Sequence, residues 1–555
     1  MEKRTVLAFV LSFLVLIVWM AVFSPKQDQK QRFETPIEKE PPREIFDSPG
    51  SPDMQRPVTS QGPERQLKET ASEVDEKEIE ITTPLYKAVF TNRGPTIKSF
   101  KLKKYRQTIA PDSPLIELVS LERNTDEFFL MNFKTSSPIQ SETMLYQVDQ
   151  GDIRLDPESP PKDLVFHSVT PDGLMIRQTF RFYADQYNID MDMNVVNQSE
   201  RPANGVFSAS IKALPPKEKK GYYSYVGIVL LLNGQLEEME IEEPSEEKVS
   251  DGQIDWMAYE DDYFISAIIS EEPVPGKFRG YLSSLGILEG TCSTPPVLLN
   301  PSQQKSSLYT LYFGPRDLGI LKEIGKGLDR AVDFGWFDII AKGLLYVLLF
   351  FNKFINNYGV SIILLTILVK ILFWPLTHKS YKSMKEMQKL QPIMAKIREK
   401  YKNDKQKMNQ EMMGLYKTYK VNPMSGCLPM IVQLPVFFAL FRLLGSSIEL
   451  RHAPFMLWIN DLAAPDRLFH FPFSIPFMTP PHGIPVLTLL MGASMFIQQK
   501  MTPTPGDPAQ AKMMMFMPVI FTFMFINFPS GLVLYWLINN LLSIGQQYRI
   551  LKRSA

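Results

Sequence analysis

The apolar positions of the chain follow three different rhythms. At the start, residues 5–23 form an uncharged apolar run behind Glu2-Lys3-Arg4, about 19 residues, enough to cross a hydrocarbon core ~30 Å thick. In the middle the period is two: Leu174, Ile176, Phe180 and Phe182 alternate with polar neighbours, as do Tyr187, Ile189, Met191, Met193 and Val195 beyond Ala184-Asp185-Gln186. That is the pattern of a β-hairpin with one buried face. Short runs at 88–92, 206–211, 225–232 and 308–313, set off by turn residues, extend it to a large all-β sandwich over residues 80–325. Long apolar runs then return at 360–376, 429–446, 484–500, 513–528 and 531–547. Together with the first run they predict an α-helical polytopic membrane protein with six transmembrane helices.

Charge orients these spans. Residues 377–428 carry Lys379, Lys382, Lys385, Lys389, Lys396, Arg398, Lys400, Lys402, Lys405, Lys407, Lys417 and Lys420 against Glu386, Glu399, Asp404 and Glu411, and the positive-inside rule places this loop in the cytoplasm. Within it Met384, Met387, Leu390, Met394, Ile397 and Tyr401 recur at helical spacing, as do Met408, Met412, Leu415 and Tyr419 after Asn403-Asp404. The pattern predicts a cytoplasmic helical hairpin. With an internal N-terminus the sandwich is periplasmic, and only one crossing fits between it and the basic loop. Residues 335–351 are therefore read as an amphipathic helix in the outer interface. Both termini fall in the cytoplasm, the C-terminal one bearing Arg549, Lys552 and Arg553.

The first run ends in Ala21-Val22-Phe23, which lacks the small-residue spacing of a cleavage site, and no lipid-accepting Cys follows. It reads as an uncleaved transmembrane signal anchor, residues 1–23. Residues 24–79, rich in Pro, Gln, Glu, Lys and Ser, read as a disordered periplasmic linker. Lys plus Arg equals Asp plus Glu at 60 each, a balance that averages a polar middle with apolar ends.

Candidate chemistry is sparse. Cys292 and Cys427 lie in unlike contexts, and neither has the spacing of a disulfide framework or zinc site. The sequence offers no phosphate-binding loop and no nucleophile elbow, so no metal, cofactor or catalytic residue is expected and the chain is not read as an enzyme. The telling residue is Lys370, inside the run at 360–376. An ammonium at mid-membrane costs ~2.5–3.5 kcal/mol even on a lenient scale, and no acidic residue lies in any of the last five apolar runs to pair with it. Two readings follow: a wet cavity between helices, or snorkelling to the cytoplasmic surface. Thr366 precedes Lys370 by four residues on the same helical face. Met is dense along the last runs, where it suits either varied apolar partners or gap-filling.

Val421-Asn422-Pro423, Gly426-Cys427-Leu428-Pro429, Gln433-Leu434-Pro435-Val436-Phe437 with Ala439-Leu440, and Phe528-Pro529-Ser530-Gly531-Leu532-Val533-Leu534-Tyr535-Trp536 together resemble the signatures of the YidC/Oxa insertase family. The resemblance covers about residues 335–550, and the anchor with its large outer domain resembles the Gram-negative type. It implies a five-helix insertase core at 357–550 and a periplasmic β-supersandwich. It also implies a hydrophilic groove open to cytoplasm and lipid, with Lys370 at the position of the groove's basic residue, more often Arg, and Thr366 at that of its threonine. Phe437, Met491, Met524 and Trp536 fall on the family's apolar substrate-contact surface. The function so implied is a membrane protein insertase and chaperone. Its expected partners are nascent membrane proteins, the Sec translocon with its accessory subunits, membrane lipids and, through the basic hairpin and tail, the ribosome and a targeting receptor.

Overall fold

A computed structural model describes residues 74–119, 128–135, 144–215, 225–239, 246–273, 275–419, 421, 428–502 and 508–552. The expected signal anchor, most of the linker and most of the 421–428 motif, Cys427 included, lie outside the described residues.

The hairpin expected at 174–195 lies within the larger of two main sheets, toward one end. Leu174–Phe182 pairs antiparallel with Asn188–Asn197, Met191 opposite Phe180. Leu174, Ile176, Phe180, Phe182, Ile189, Met191, Met193 and Val195 are all buried, as the period of two requires. Gln178 interrupts the apolar face; its side-chain amide donates to the Met131 carbonyl at 3.1 Å, which lowers the cost of burying it. This sheet runs in the order Val297–Leu299, Ala203–Ala213, Leu288–Ser293, Pro275–Leu282, Glu247–Glu260, Phe264–Ser270, Gln304–Pro315, Asn188–Asn197, Leu174–Phe182, Lys162–Val169 and Gln147–Val148. Glu247–Glu260 pairs with Pro275–Leu282 along its first half and, along its second, with Phe264–Ser270 on one edge and Gly227–Leu232 on the other.

A five-stranded sheet covers it, ordered Leu115–Glu117, Thr96–Arg106, Tyr86–Thr91, Glu78–Thr82 and Ile153–Arg154. Rings lock the two together. Phe90 meets Phe180 and Phe182 edge-on at 5.2 and 5.5 Å, and Phe100 stacks on Phe313 at 4.9 Å. Each such pair adds roughly 0.5–1.5 kcal/mol to the burial of its rings.

The helices follow in sequence. Helix α1, Leu318–Ile324, is capped by Asp317, which accepts from Gly319 and Ile320 amides. Helix α2, Asp338–Ile355, ends at Asn356 in a left-handed conformation. Helix α3 is Tyr358–Leu372 and α4 is Trp374–Lys400. Helix α5, Lys405–Thr418, is capped by Asp404. Then come α6, Leu428–Ser446; α7, Val486–Met501; α8, Pro508–Phe525; and α9, Ser530–Lys552.

The apolar runs from 360 onward thus coincide with helices, and two boundaries differ from expectation. Helix α2 extends past 351 to Ile355, exposing an apolar row of Ile339, Tyr346, Phe350 and Phe354 while Ala341, Leu345 and Leu348 pack inward. The run at 360–376 is not one helix: the chain bends by 64° between α3 and α4. Pro375 does not end the span, as the sequence suggests; it opens α4, where its missing N–H costs nothing. Among the described residues no single helix is long and apolar enough to cross a membrane alone, although the bent α3–α4 pair passes that test together. Shorter apolar helices lie at Val432–Ser446 and Lys512–Phe525.

The sandwich is seated on the helices by specific contacts. The Tyr263 hydroxyl donates to the Gly445 carbonyl at the end of α6, 3.1 Å away. The Arg451 guanidinium lies over the Tyr263 and Phe264 rings at 5.7 and 5.5 Å and donates to the Arg106 carbonyl at 2.7 Å. Near this seat Arg316 donates to the Asp261 and Ala331 carbonyls and lies 3.7 Å from the buried Glu260 carboxylate.

Burial pushes the Glu260 carboxyl up to about 7 from its usual 4.5, against the pull of Arg316. A carboxyl whose folded pKa exceeds its unfolded value holds its proton more tightly when folded. Its contribution to stability is therefore fullest below pH 4.5 and declines as pH rises to about 7. The total is on the order of 3 kcal/mol. Hydrogen-exchange protection of Glu247–Glu260 in the full chain, corrected for the intrinsic pH dependence of exchange, should weaken as pH rises over that window, and Glu260→Gln should flatten the slope; an unchanged slope would refute the assignment.

Candidate functional site

Lys370 stands in the last turn of α3 and is 7 % exposed. Its stem turns inward across the bundle, and Nζ donates to Ser543 Oγ of α9 at 2.5 Å. Ser543 in turn donates to the Asn539 carbonyl four residues back. No carboxylate lies within ion-pair distance of Lys370 among the described residues. This geometry matches a charge held between helices and not one extended along its own helix to the surface.

Neighbouring polar contacts form a line along α9. On one side of Lys370, Gln433 of α6 donates from its amide to the Tyr535 hydroxyl at 3.0 Å. On the other, Thr377 of α4 and Gln546 of α9 bond at 3.0 Å through the Gln546 amide. Toward α7, Asn540 donates to Ser494 at 3.0 Å and Gln547 to the Met501 carbonyl at 2.7 Å. A small pocket opens among Lys370, Phe373, Thr377, Val432 and Gln433. The stripe Asn539, Asn540, Ser543, Gln546 and Gln547 is absent from the residues expected by sequence. Its signal was present: polar residues at three-to-four spacing inside an apolar helix face partners, not lipid.

Thr366 is buried on the same face as Lys370, with its hydroxyl donated to the Ile362 carbonyl of its own helix at 2.6 Å. Its donor is thus occupied by the backbone. Of the four expected apolar contact residues, two meet: the Phe437 and Trp536 rings pack edge-on at 4.8 Å, each also against Phe525. Met524 is 38 % exposed on α8. Met491 is fully buried in α7, so in this conformation it packs the helices and presents no surface. Helix α7 crosses α8 so closely there that a Cβ on Gly492 would collide with Thr522.

The end of the bundle beneath the sandwich is closed by a polar knot in the loop 447–485. Asp466 accepts from Trp458 Nε1 at 2.5 Å and from the Leu487 amide, which caps α7. Arg467 donates to the Ile526 and Pro481 carbonyls at 2.8 and 3.0 Å and to Asn527 at 3.1 Å, satisfying the exit of α8. The Ser530 and Gly531 amides at the start of α9 donate to Ala464 and Leu462. Among the described residues no three His, Cys, Asp or Glu side chains are grouped to hold a metal ion.

The sandwich and the helical bundle correspond to two known families. The chain matches the 60Kd inner membrane protein family over residues 350–555 and the YidC periplasmic domain over residues 78–347. The membrane protein insertase YidC of Pelobacter propionicus is 41 % identical over 561 residues, covering 100 % of this chain and 99 % of the relative. That of Syntrophus aciditrophicus is 42 % identical over 569 residues, covering 100 % of both. The chain belongs to the YidC family of membrane protein insertases. Among solved structures, an active YidC insertase crystal structure with the first transmembrane domain resolved shares 18 % identity, with 86 % of this chain and 93 % of that one covered at a TM-score of 0.36. A galactose mutarotase related enzyme from Lactobacillus acidophilus shares 8 % identity, with 43 % of this chain and 97 % of that one covered at a TM-score of 0.32.

Removing the Lys370 acceptor should be costly. Ser543→Ala leaves the buried ammonium without its hydrogen-bond partner and should destabilise the bundle by about 1–3 kcal/mol. Ser543→Thr should retain most of that stability. Thermal unfolding of the detergent-solubilised chain reads both, and equal losses would argue against the bond.

Proposed function

We propose that this chain inserts integral membrane proteins into the inner membrane and helps them fold, by way of the polar groove around Lys370. The observation that carries the reading is the buried Lys370 ammonium, bonded to the Ser543 hydroxyl and, among the described residues, facing no carboxylate. Such a group attracts an incoming carboxylate more strongly than a solvated lysine does, because low dielectric leaves its field poorly screened. The polar, often acidic, tail of a client enters from the cytoplasmic side and pauses beside Lys370, with Thr366 on the same face.

The client's apolar segment then partitions into lipid along Phe437, Met524 and Trp536, with Met491 filling space behind them. Transfer of its apolar surface, worth ~25 cal/mol per Å², drives the step, and the membrane potential assists an acidic tail. No covalent step and no nucleotide enters this scheme. The short helices support a thinned bilayer at the groove: the 16 residues of α7 rise only about 24 Å, against a typical core of ~30 Å.

In this reading the six spans are the N-terminal anchor, the bent α3–α4 pair up to its basic continuation, and α6 to α9. The sandwich is periplasmic, α2 lies in the outer interface, and α4 with α5 forms the cytoplasmic hairpin. Leu390 and Met394 of α4 pack with Val421 against Met412, Leu415 and Tyr416, and Lys379, Lys382, Lys396 and Lys417 stand exposed, a basic surface suited to ribosomal RNA, a targeting receptor or anionic lipid. Some clients arrive directly and others with the Sec translocon and its accessory subunits.

Lys370→Glu should reduce insertion of clients with acidic translocated tails by at least tenfold, whereas Lys370→Arg should keep most activity because charge is retained. Protease protection of radiolabelled clients in reconstituted vesicles checks this. Full activity of Lys370→Glu on every client would remove the electrostatic part of the mechanism.

A further inference from the structure

The loop 447–485 holds large apolar side chains outward while its backbone is tied down. Phe477 is 90 % exposed and Leu457 80 %, and Phe469 and Phe473 are also exposed. Leu457, Phe469 and Phe477 all adopt positive φ, of 57°, 55° and 64°, a conformation unfavourable for side chains of this size. The display is not slack chain. Asn527 donates to the Phe477 carbonyl at 2.8 Å and accepts from the Thr479 amide at 2.9 Å, and the Phe471 amide donates to the His482 carbonyl at 2.8 Å.

Two observations select the occupant of this surface. The loop is continuous with the helix ends: the Asn357 amide at the α2–α3 junction donates to the Phe455 carbonyl at 3.0 Å, and the loop base pairs with the start of α9. From Arg467 to Pro485 the sequence contains no acidic residue, so nothing there repels lipid phosphate. We propose that this loop is an outer-leaflet anchor, in which Phe469, Phe473 and Phe477 enter the boundary between headgroups and acyl chains. The anchor fixes the depth of the closed end of the groove, and so the length of membrane left for a client to cross. It rests on the membrane-spanning reading of α6 to α9.

The test is nitroxide depth measurement on the full chain carrying Cys292→Ser and Cys427→Ser, in vesicles of phosphatidylethanolamine and phosphatidylglycerol. Labels are placed at Phe473→Cys and Phe477→Cys, with Phe523→Cys on α8 as the lipid reference and Lys305→Cys on the sandwich as the aqueous one. The labels at 473 and 477 should collide with oxygen several-fold more readily than with a water-soluble nickel chelate, as at 523. If 523 behaves as lipid-exposed while 473 and 477 match 305, the anchor is wrong and the membrane reading stands; shielding seen only after a second protein is added overturns it equally. If 523 itself is aqueous, both readings fall.

Discussion

A single ammonium group inside a helix bundle sets much of the architecture around it. Lys370 cannot be packed like a leucine, because a desolvated charge needs compensation that apolar neighbours do not supply. The bundle answers with hydroxyls and amides from α4, α6 and α9, of which Ser543 makes the direct bond. Of the polar residues on adjoining turns of α9, Ser543 meets Lys370 and Gln546 meets Thr377 of α4, while Asn540 and Gln547 bond toward α7. A carboxylate at position 543 would neutralise Lys370 and relieve the burial cost. It would also remove the unbalanced field on which the proposed attraction of a client depends.

The two ends of the bundle are treated differently. Beneath the sandwich, Asp466, Arg467, Asn527 and the backbone of the 447–485 loop satisfy helix termini and one another through a dense set of hydrogen bonds. Arg451 and Tyr263 then tie that end to the sandwich. At the other end α3 gives way to α4 by a 64° bend, and the pocket beside Lys370 is lined partly by Thr377 and Leu376 of that departing helix. In the proposed mechanism, the polar knot at one end and the helix bend at the other favour entry of a client from the bent side.

Features set by local periodicity were legible in the sequence. The hairpin at 174–195 follows from strict alternation, and the positions of α6 to α9 from apolar runs; the structure shifts their ends by a few residues. Features set by tertiary partners were less legible. Pro375 near the end of an apolar run reads as a terminator, yet at the first turn of a helix it is equally comfortable, and only the packing of α3 chooses. Met491 and Met524 have the same residue type and similar surroundings in sequence, but one is enclosed by the close α7–α8 crossing at Gly492 and the other faces outward. Thr366 could be placed on the Lys370 face by spacing alone, whereas its bond to the Ile362 carbonyl could not.

The identity of the charged residue fits its surroundings. A guanidinium presents five N–H donors in a fixed plane, and an ammonium three that rotate freely. Around Nζ the structure offers one direct acceptor, Ser543, while the nearby Gln433 amide and Gln546 amide are already donating to Tyr535 and Thr377. An arginine here would bring donors beyond the one that Ser543 accepts. Lysine asks for less. Lys370 also lines the small pocket with Phe373, Thr377, Val432 and Gln433, where the proposed mechanism brings the client carboxylate.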